Sequence, residues 1–302
     1  MRTIPYSPTK ADLFTPYVRG NYFSNNEAQS TPGLCAELSR LAYARTSESP
    51  AFDQQLIVAV MAKIGFSGCQ FFESARTPGG THCFTGVGAN SSSGQQVGLV
   101  VFRGTDADDP TDIGDDADFL LTRWKPGGKV HSGFAGAFND IEPALRLVVE
   151  AMGRPVLFTG HSLGAALSTL AASDCRAAIA KDSALYTFGC PRVGDAQFVA
   201  TLNGMAGRRY VDCCDIVARV PLKAMGYAHV GKPYYINRHG EITFNPSEFA
   251  VKEDQALAVV DYLCEYAWKP RNVGVRELAD HTPINYVYAV SAAKESGLAA
   301  GA

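Results

Sequence analysis

Ser162 is the residue of this chain best placed for chemistry, because it lies at the centre of a Gly-x-Ser-x-Gly pattern formed by residues 160–164. An apolar run typical of a strand precedes the pattern, and an Ala/Leu-rich run typical of a helix follows it. A serine in such a strand-to-helix turn stands above the sheet as a nucleophile, and its neighbours two residues away must be small. Gly160 and Gly164 meet that requirement, and the N-terminus of the following helix would point at a developing oxyanion. The spacing therefore predicts acyl transfer through a serine nucleophile.

A nucleophilic serine needs a base, and the base is one of six histidines. In proteins that carry the catalytic serine in such a turn, the serine comes first along the chain, the acid second and the histidine third. Three histidines precede or adjoin the serine and do not fit that order: His82, His131 and His161. Of the other three, His239 lies in a predicted hairpin turn, and His229 follows the best candidate acid by only 14 residues. The order of the chain favours His281, in a loop before the last predicted helix, and leaves His229 as the alternative.

The acid and the oxyanion donors are predicted from strand ends. Asp215 follows a short apolar strand, and the carboxyl end of a strand lies on the functional edge of an open α/β sheet. Asp212 is its rival but falls inside the strand. The backbone N–H of Leu163, directly after the serine, is one expected oxyanion donor. The second is expected at Thr105, where an apolar strand runs into a glycine-containing turn.

Composition limits the classes of function. The 302 residues have a net charge of −3 and are 46% apolar, so the chain can bury a large core and shows no basic patch for nucleic acid. No apolar run is long enough to span a bilayer, and the first ten residues contain no apolar leader, which predicts a cytoplasmic protein. The eight cysteines include no Cys-x-x-Cys pair, so reduced, mostly buried thiols are expected, and neither a metal nor a cofactor is.

The predicted elements indicate an α/β fold with a mostly parallel central sheet, antiparallel edges and flanking helices. Helices are expected at 31–43, 54–63, 138–152, 252–268 and 283–293, and strands at 69–74, 82–87, 97–102, 156–159, 184–188 and 210–213. Residues 234–244 are expected to form a further hairpin. The alternation of strands and helices favours one domain over residues 1–302, with an irregular N-terminal arm at 1–30.

Several spaced motifs together resemble the class 3 lipases, the fungal-type lipases of the α/β-hydrolase superfamily with bacterial and plant-like relatives. The similarity covers about residues 35–293 and is carried by residues 101–105 (Val-Phe-Arg-Gly-Thr), 130–134 (Val-His-Ser-Gly-Phe), 159–164, 186–194 and 215–217, and by His281. The resemblance implies a triad of Ser162, Asp215 and His281, an oxyanion hole at Thr105 and Leu163, no cofactor, and an ester or lipid substrate met at a lipid–water interface. It also implies a lid at residues 106–124.

The lid segment departs from the family pattern, because seven aspartates lie between residues 106 and 118. Pro110 and Gly114 argue against a continuous amphipathic helix there. The sequence thus predicts a serine carboxylester hydrolase, with a triacylglycerol lipase or esterase as the first interpretation. A phospholipase A1 and a polar-ester enzyme of the feruloyl esterase kind are the alternatives. A non-catalytic lipase-like binding module is a further alternative, which the presence of all three triad candidates disfavours.

Overall fold

The computed structural model describes residues 4–46, 51–76, 80–105 and 119–293. The strands in these ranges are β1 (Phe66–Ser74), β2 (Thr81–Ala89), β3 (Gln96–Phe102), β4 (Leu121–Arg123), β5 (Lys129–His131), β6 (Val156–His161), β7 (Ala184–Phe188), β8 (Ala206–Asp212), β9 (Pro233–Ile236) and β10 (Ile242–Phe244). The α-helices are α1 (Lys10–Phe14), α2 (Thr31–Leu41), α3 (Gln54–Lys63), α4 (Ser132–Asn139), α5 (Glu142–Ala151), α6 (Leu163–Cys175), α7 (Ala196–Ala200), α8 (Glu248–Glu265), α9 (Arg276–Ala279) and α10 (Pro283–Ala292). Short 3-10 helices lie at Pro16–Arg19, Glu27–Gln29, Val217–Arg219 and Lys223–Met225.

The main sheet has eight strands in the order β1-β2-β3-β6-β7-β8-β9-β10. The five central strands, β3 and β6 to β9, run parallel to their neighbours in that series, while β1, β2 and β10 are antiparallel additions at the two edges. This confirms the predicted mostly parallel sheet with antiparallel edges. Because the parallel strands share one direction, the segments after β3, β6 and β8 leave the sheet at the same edge.

Strand β3 shows how the sheet is held between two layers of helices. Leu99 and Val101 pack in a core with helices α2 and α10, whereas Val100 and Phe102 pack in a second core with helices α4, α5 and α6. All four side chains are fully buried. A strand buried on both faces reads as an apolar run without alternation, as this one does. Each such side chain contributes roughly 1.5–3 kcal/mol of transfer free energy.

Two boundaries differ from the sequence prediction for physical reasons. Helix α2 begins at residue 31 as predicted and is capped by the Ser30 side chain, which accepts the Gly33 N–H, but it ends at Leu41, two residues before the predicted end. The single helix expected at 138–152 is two helices, because Pro143 lacks an N–H and fits only in the first turn of a helix. The arm at 1–30 is also more regular than expected, since it holds α1 and two 3-10 helices.

The predicted lid at 106–124 lies mostly outside the described residues, which omit 106–118. The remainder is strand β4, paired antiparallel with β5, followed by the buried Trp124. The prediction of one domain over residues 1–302 stays a prediction.

Candidate active site

The turn at Ser162 is a strained strand-to-helix connection. Ser162 follows β6, precedes α6, and has φ of +59° and ψ of −130°, a conformation that residues with a side chain seldom adopt. Its N–H donates to the Phe188 carbonyl of the neighbouring strand β7 over 3.0 Å, which fixes the turn to the sheet. The outlier marks this serine as a residue held for a purpose other than local stability.

The two glycines of the pattern allow backbone segments to touch. A Cβ on Gly160 would lie 2.3 Å from the carbonyl of Gly164, so the strand and the new helix could not pack against each other. A Cβ on Gly164 would lie 2.4 Å from the Phe102 carbonyl oxygen at the end of β3. The second contact brings the segment after β3 against the first turn of α6. That segment carries Thr105, and the first residue of α6 is Leu163.

The two predicted oxyanion donors therefore come from adjoining backbone segments. The N–H of Leu163 is among the first of helix α6, so it has no acceptor within the helix. Gly104, directly before Thr105, has no room for a side chain, because a Cβ there would meet the Tyr43 hydroxyl at 2.0 Å and the His161 carbonyl at 2.8 Å. The Thr105 turn is thus packed onto the segment that carries the serine.

Asp215 and His281 form a buried pair. The Nδ1–H of His281 donates to the Asp215 carboxylate, with 2.9 Å to Oδ2 and 3.0 Å to Oδ1. Both residues are almost completely excluded from solvent. Since Nδ1 carries the proton in this arrangement, Nε2 is left as the acceptor nitrogen of the neutral ring. An imidazole held in this tautomer is suited to act as a base through Nε2.

Two further donors hold the Asp215 carboxylate. The Tyr286 hydroxyl donates to Oδ2, and the Val217 N–H donates to Oδ1 over 2.9 Å. Burial alone would raise the pKa of Asp215, but the positive charge and hydrogen bond of His281 and the hydroxyl of Tyr286 lower it below the usual value. The carboxylate is therefore ionised at neutral pH and can stabilise an imidazolium.

Ser162 is close to this pair through the turn at Gly189. A Cβ on Gly189 would lie 2.7 Å from Asp215 Oδ2 and 3.0 Å from His281 Nδ1, and Gly189 follows Phe188, which accepts the Ser162 N–H. The Ser162 side-chain oxygen is buried and has no hydrogen-bond partner among the described residues. The structure thus brings the three predicted residues into one region and leaves the serine hydroxyl uncommitted.

His161 was missed by the sequence analysis, which set it aside because it adjoins the serine. Its ring lies against that of His281, with centroids 4.5 Å apart. Its Nε2–H donates to the main-chain carbonyl of His281 over 2.9 Å, and the Tyr43 hydroxyl donates to its Nδ1 over 2.8 Å. Burial, and then the charge of His281, lower the pKa of His161 well below its usual value. It is a neutral support for the His281 main chain.

Asp280 is a second support that adjoins His281 in the sequence. Its carboxylate accepts the Tyr6 hydroxyl at 2.7 Å and the Arg276 Nε–H at 3.0 Å, and it also accepts the Cys214 N–H at 2.9 Å. One buried carboxylate therefore ties the segment before Asp215 to the segment before His281. His161 adjoins Ser162 and Asp280 adjoins His281, and this adjacency was the signal available in the sequence. Spacing alone cannot distinguish a polar residue that supports the site from one that faces solvent.

The N-terminal arm reaches the same region through Ser7. Its N–H donates to the Asn285 side-chain oxygen at 2.7 Å, and the Asn285 amide returns a bond to the Ser7 carbonyl at 2.9 Å. Asn285 lies in the first turn of α10, directly after the loop of His281. Two hydrogen bonds thus join the N-terminal arm to helix α10.

The remaining polar candidates lie elsewhere. The His229 Nε2–H donates to the Ala218 carbonyl over 2.9 Å, and burial followed by nearby arginine charges lowers its pKa well below the usual value. His239 is in the turn between β9 and β10, as predicted, and Asp212 is the last residue of β8. Neither His229 nor Asp212 takes the place of its rival in the Asp215–His281 pair.

A metal site has little support among the described residues. Cys213, Cys214 and Asp280 bring their ligand atoms within 4.8 Å of one another. The Asp280 carboxylate, however, already accepts three hydrogen bonds, one of them from a guanidinium. All eight cysteines fall in the described ranges as free thiols, and six of them are buried.

The chain is similar to lipases in both sequence and structure. Residues 99–225 match the family described as lipase (class 3). A secreted mono- and diacylglycerol lipase A of Penicillium cyclopium is 35% identical over 115 residues, covering 37% of this chain and 38% of that protein. A lipase of Rhizomucor miehei is 34% identical over 134 residues, covering 40% and 37%. The solved lipase of Rhizopus microsporus var. chinensis has a TM-score of 0.53 and 26% identity, covering 78% of this chain and 82% of that one.

The matched segments cover only part of each curated relative. The chain spans less than two fifths of the length of the two curated relatives just described. The names also correct one prediction, because several relatives, including the Penicillium cyclopium protein, are named as secreted lipases. The expected cytoplasmic location is therefore wrong, since it rested only on the composition of the first residues. Among the described helices none has the length and apolar character needed to cross a membrane.

The matched segment contains Ser162 and Asp215, and the described sheet carries both at the edge expected from the sequence. Its relatives by sequence and by structure are lipases. Residues 99–225 of the chain thus match the class 3 lipase family, and the described part of the chain has an α/β-hydrolase fold.

Proposed function

We propose that this protein is a serine carboxylester hydrolase that acts on acylglycerols through Ser162, Asp215 and His281. The observation that carries the proposal is the buried Asp215–His281 hydrogen bond beside a strained turn whose serine hydroxyl has no other partner among the described residues. Nucleophile, base and orienting acid in this arrangement are the requirements of acyl transfer.

In the acylation step the Ser162 oxygen attacks the ester carbonyl carbon, and His281 Nε2 takes the hydroxyl proton. Asp215 holds the imidazole through Nδ1 and stabilises its positive charge. The tetrahedral intermediate then expels the alcohol, which receives the proton from His281, and an acyl ester remains on Ser162. A water molecule repeats the sequence on the acyl-enzyme and releases the acid.

The oxyanion of both tetrahedral intermediates would lie against the start of α6 and the segment after β3. The Leu163 N–H and the N–H or hydroxyl of Thr105 are the proposed donors. Removing one such donor costs about 2.7–4 kcal/mol in other serine hydrolases. The orphan N–H groups of the α6 N-terminus add a favourable dipole at the same place.

An acylglycerol substrate is favoured over a polar ester by the side chains around the Asp215 segment. Ile216, Leu222 and Met225 are 40%, 57% and 43% exposed. Leu120, 62% exposed, adjoins them, because the Tyr227 hydroxyl donates to the Phe119 carbonyl. Exposed large apolar side chains grouped on one side of a protein indicate a surface for an apolar ligand. The lipid substrates named for the relatives agree with this class.

The direct test is a rate profile over acyl chain length with glycerol esters, measured below and above the solubility of each ester. Wild-type protein is expected to hydrolyse these esters, with a rise in rate where the ester forms an interface. A fluorophosphonate, which reacts with activated serines, should add its mass to the tryptic peptide that contains Ser162.

The control is Ser162→Ala, which should abolish both hydrolysis and labelling while the circular dichroism spectrum stays unchanged. Ser168→Ala in the same helix should retain labelling, because that hydroxyl only donates to the Ala165 carbonyl. An active and correctly folded Ser162→Ala protein would contradict the mechanism. Hydrolysis of polar aromatic esters alone would contradict the substrate class.

A further inference from the structure

A cavity of about 640 Å³ lies outside the candidate active site. It is open to solvent and is lined by strand β8, the segment 219–233 and the first turns of helix α8. None of Ser162, Asp215 and His281 lines it. Its volume falls in the range of small-molecule sites, which is about 300–1,000 Å³.

Arg209 forms the inner wall of this cavity and is an unusual arginine. Its Nε is buried, and the side chain makes no hydrogen bond or ion pair with the described residues. Burial, with a further contribution from Arg192, lowers its pKa to about 10. A guanidinium has five N–H donors and almost never lies buried without acceptors. The Arg209 side chain is half-buried, and its buried Nε–H requires an acceptor that the described protein atoms do not supply.

Arg192 adds a second guanidinium on the same wall. Its Nη1 donates to the main-chain carbonyls of Arg219 and Pro221, while its Nε is buried without a partner among the described residues. Burial lowers its pKa below the usual value. The two arginines face one cavity, and no carboxylate bridges them in the described part of the chain. An anion bound between two guanidiniums that line one cavity would offset the repulsion between their like charges.

The side chains at the mouth of the cavity are also mostly positively charged. Lys223, Lys232 and Lys252 line it and are exposed, and Glu248 is the one acidic residue among its lining residues. With Arg219, which also lines it, six cationic side chains surround one cavity in a chain whose net charge is −3. Exposed lysines around a half-buried arginine would steer an anion inward.

We propose that this cavity binds a phosphate group, either of a soluble phosphate ester or of a lipid headgroup. A phosphate carries up to two negative charges and several acceptor oxygens, which match two guanidiniums and their lysine rim better than a single carboxylate would. Val211 and Val251 give the cavity an apolar wall for the rest of the ligand. The site is independent of the proposed hydrolase activity, since it shares no residue with the triad.

The test compares Arg209→Met with Arg208→Met. Methionine keeps the length of the side chain without the charge. Arg208 is the matched control because it is the next residue of β8 and faces the opposite side of the sheet, where it lies 5.0 Å above the Tyr234 ring. Calorimetry would measure the binding of inorganic phosphate, glycerol phosphate, and vesicles of phosphatidylcholine with and without phosphatidic acid.

Wild-type and Arg208→Met proteins should bind phosphate saturably, and Arg209→Met should bind at least about tenfold more weakly, because charged hydrogen bonds are lost. Arg209→Met should also melt at a higher temperature without phosphate, since an unpaired buried charge is removed, and should lose the rise in melting temperature that phosphate causes. Tighter binding of glycerol phosphate than of vesicles identifies a soluble ester as the ligand, and the reverse identifies a headgroup.

If Arg209→Met does not fold, a second variant still tests the proposal. Lys223→Gln combined with Lys252→Gln changes only exposed side chains and should weaken phosphate binding and reduce its dependence on salt. Absence of saturable binding to every probe, or equal binding by Arg209→Met and wild-type protein, would overturn the proposal.

Discussion

His161 donates from Nε2 to the main-chain carbonyl of His281 over 2.9 Å, so the residue before the candidate nucleophile supports the candidate base. The two rings lie 4.5 Å apart between centroids. A displacement of the turn at Ser162 would therefore carry the His281 backbone with it. The pair links two segments that are 120 residues apart in the sequence.

His161→Phe tests this support. Phenylalanine fills the same space but donates nothing to the His281 carbonyl, so the imidazole should lose its alignment with Ser162. We expect kcat to fall about 10- to 100-fold with little change in KM, as for a misplaced catalytic group. His161→Gln can still donate from its amide nitrogen and should recover most of the rate. Equal kinetics of His161→Phe and wild-type protein would contradict the role.

The glycine at the start of α6 gives a prediction on stability. Gly164→Ala places a methyl group 2.4 Å from the Phe102 carbonyl oxygen, which neither backbone can avoid, so a loss of several kcal/mol is expected in urea denaturation. Gly136→Ala in helix α4 is the control, because a Cβ there meets nothing within 4 Å. It should stabilise the protein by about 0.4–1 kcal/mol through the unfolded chain. A Gly164→Ala protein as stable as wild type would show that the strand and helix are not in contact.

The assignment of the base can be tested with His281→Ala and His229→Ala. The first variant removes the ring hydrogen-bonded to Asp215 and should reduce kcat by about 10⁴-fold or more, as for loss of a triad member elsewhere. The second removes a bond to the Ala218 carbonyl and should retain most of the activity of the folded fraction. Rates are compared after correction for folded protein by circular dichroism. The opposite ranking would move the base to His229.

Asp215→Asn gives a separate prediction on the tautomer. An asparagine can donate to Nδ1 and would favour the proton on Nε2, where it blocks the attack. We expect kcat to fall about 10⁴-fold while KM changes little, because the substrate does not touch Asp215. Tyr286→Phe, which removes only one of the hydrogen bonds to the carboxylate, should cost far less. Similar losses in the two variants would indicate that Asp215 acts only as a structural residue.

Three histidines whose pKa values are lowered, His82, His161 and His229, predict how stability depends on pH. Burial is the largest cause that lowers the pKa of each, to about 3 for His82 and well below the usual value for His161 and His229. Below the unfolded pKa of about 6.5 the unfolded chain binds protons that the folded protein does not, so the free energy of unfolding falls as pH falls. Above about 6.5 neither state is protonated and these groups add no slope.

Each of these histidines contributes up to about 1.4 kcal/mol per pH unit once the pH is well below 6.5. Urea denaturation at several pH values from about 7.5 down to about 5 measures the slope. His161→Gln should reduce it by about one proton. A free energy of unfolding that stays constant over this interval would show that these histidines take up protons in the folded protein.

The sequence was sufficient to predict a mostly parallel sheet with antiparallel edges, and it offers three triad candidates, because each of these depends on a local pattern. The apolar run before Ser162 and the apolar run before Asp215 both form central parallel strands, β6 and β8, whose carboxyl ends lie at the same end of the sheet, as expected. Spacing could not predict Tyr286 on the Asp215 carboxylate or Tyr6 on Asp280, since those contacts join residues 71 and 274 positions apart. Likewise the sequence did not predict the break between α4 and α5 at Asp140 and Ile141. It depends on Pro143, which can either begin a helix or interrupt one according to its position.

The bonds from Tyr6 and Ser7 to the segment of His281 and Asn285 have a consequence for limited proteolysis. Cleavage after the first ten residues would remove a strap that holds the imidazole loop, although it would touch no residue of the triad. A nicked protein would keep its sheet and its reactive serine and still lose catalytic rate. Residues 6–7 and the segment 280–285 thus form one support for His281, and the rate of turnover reports whether the two are joined.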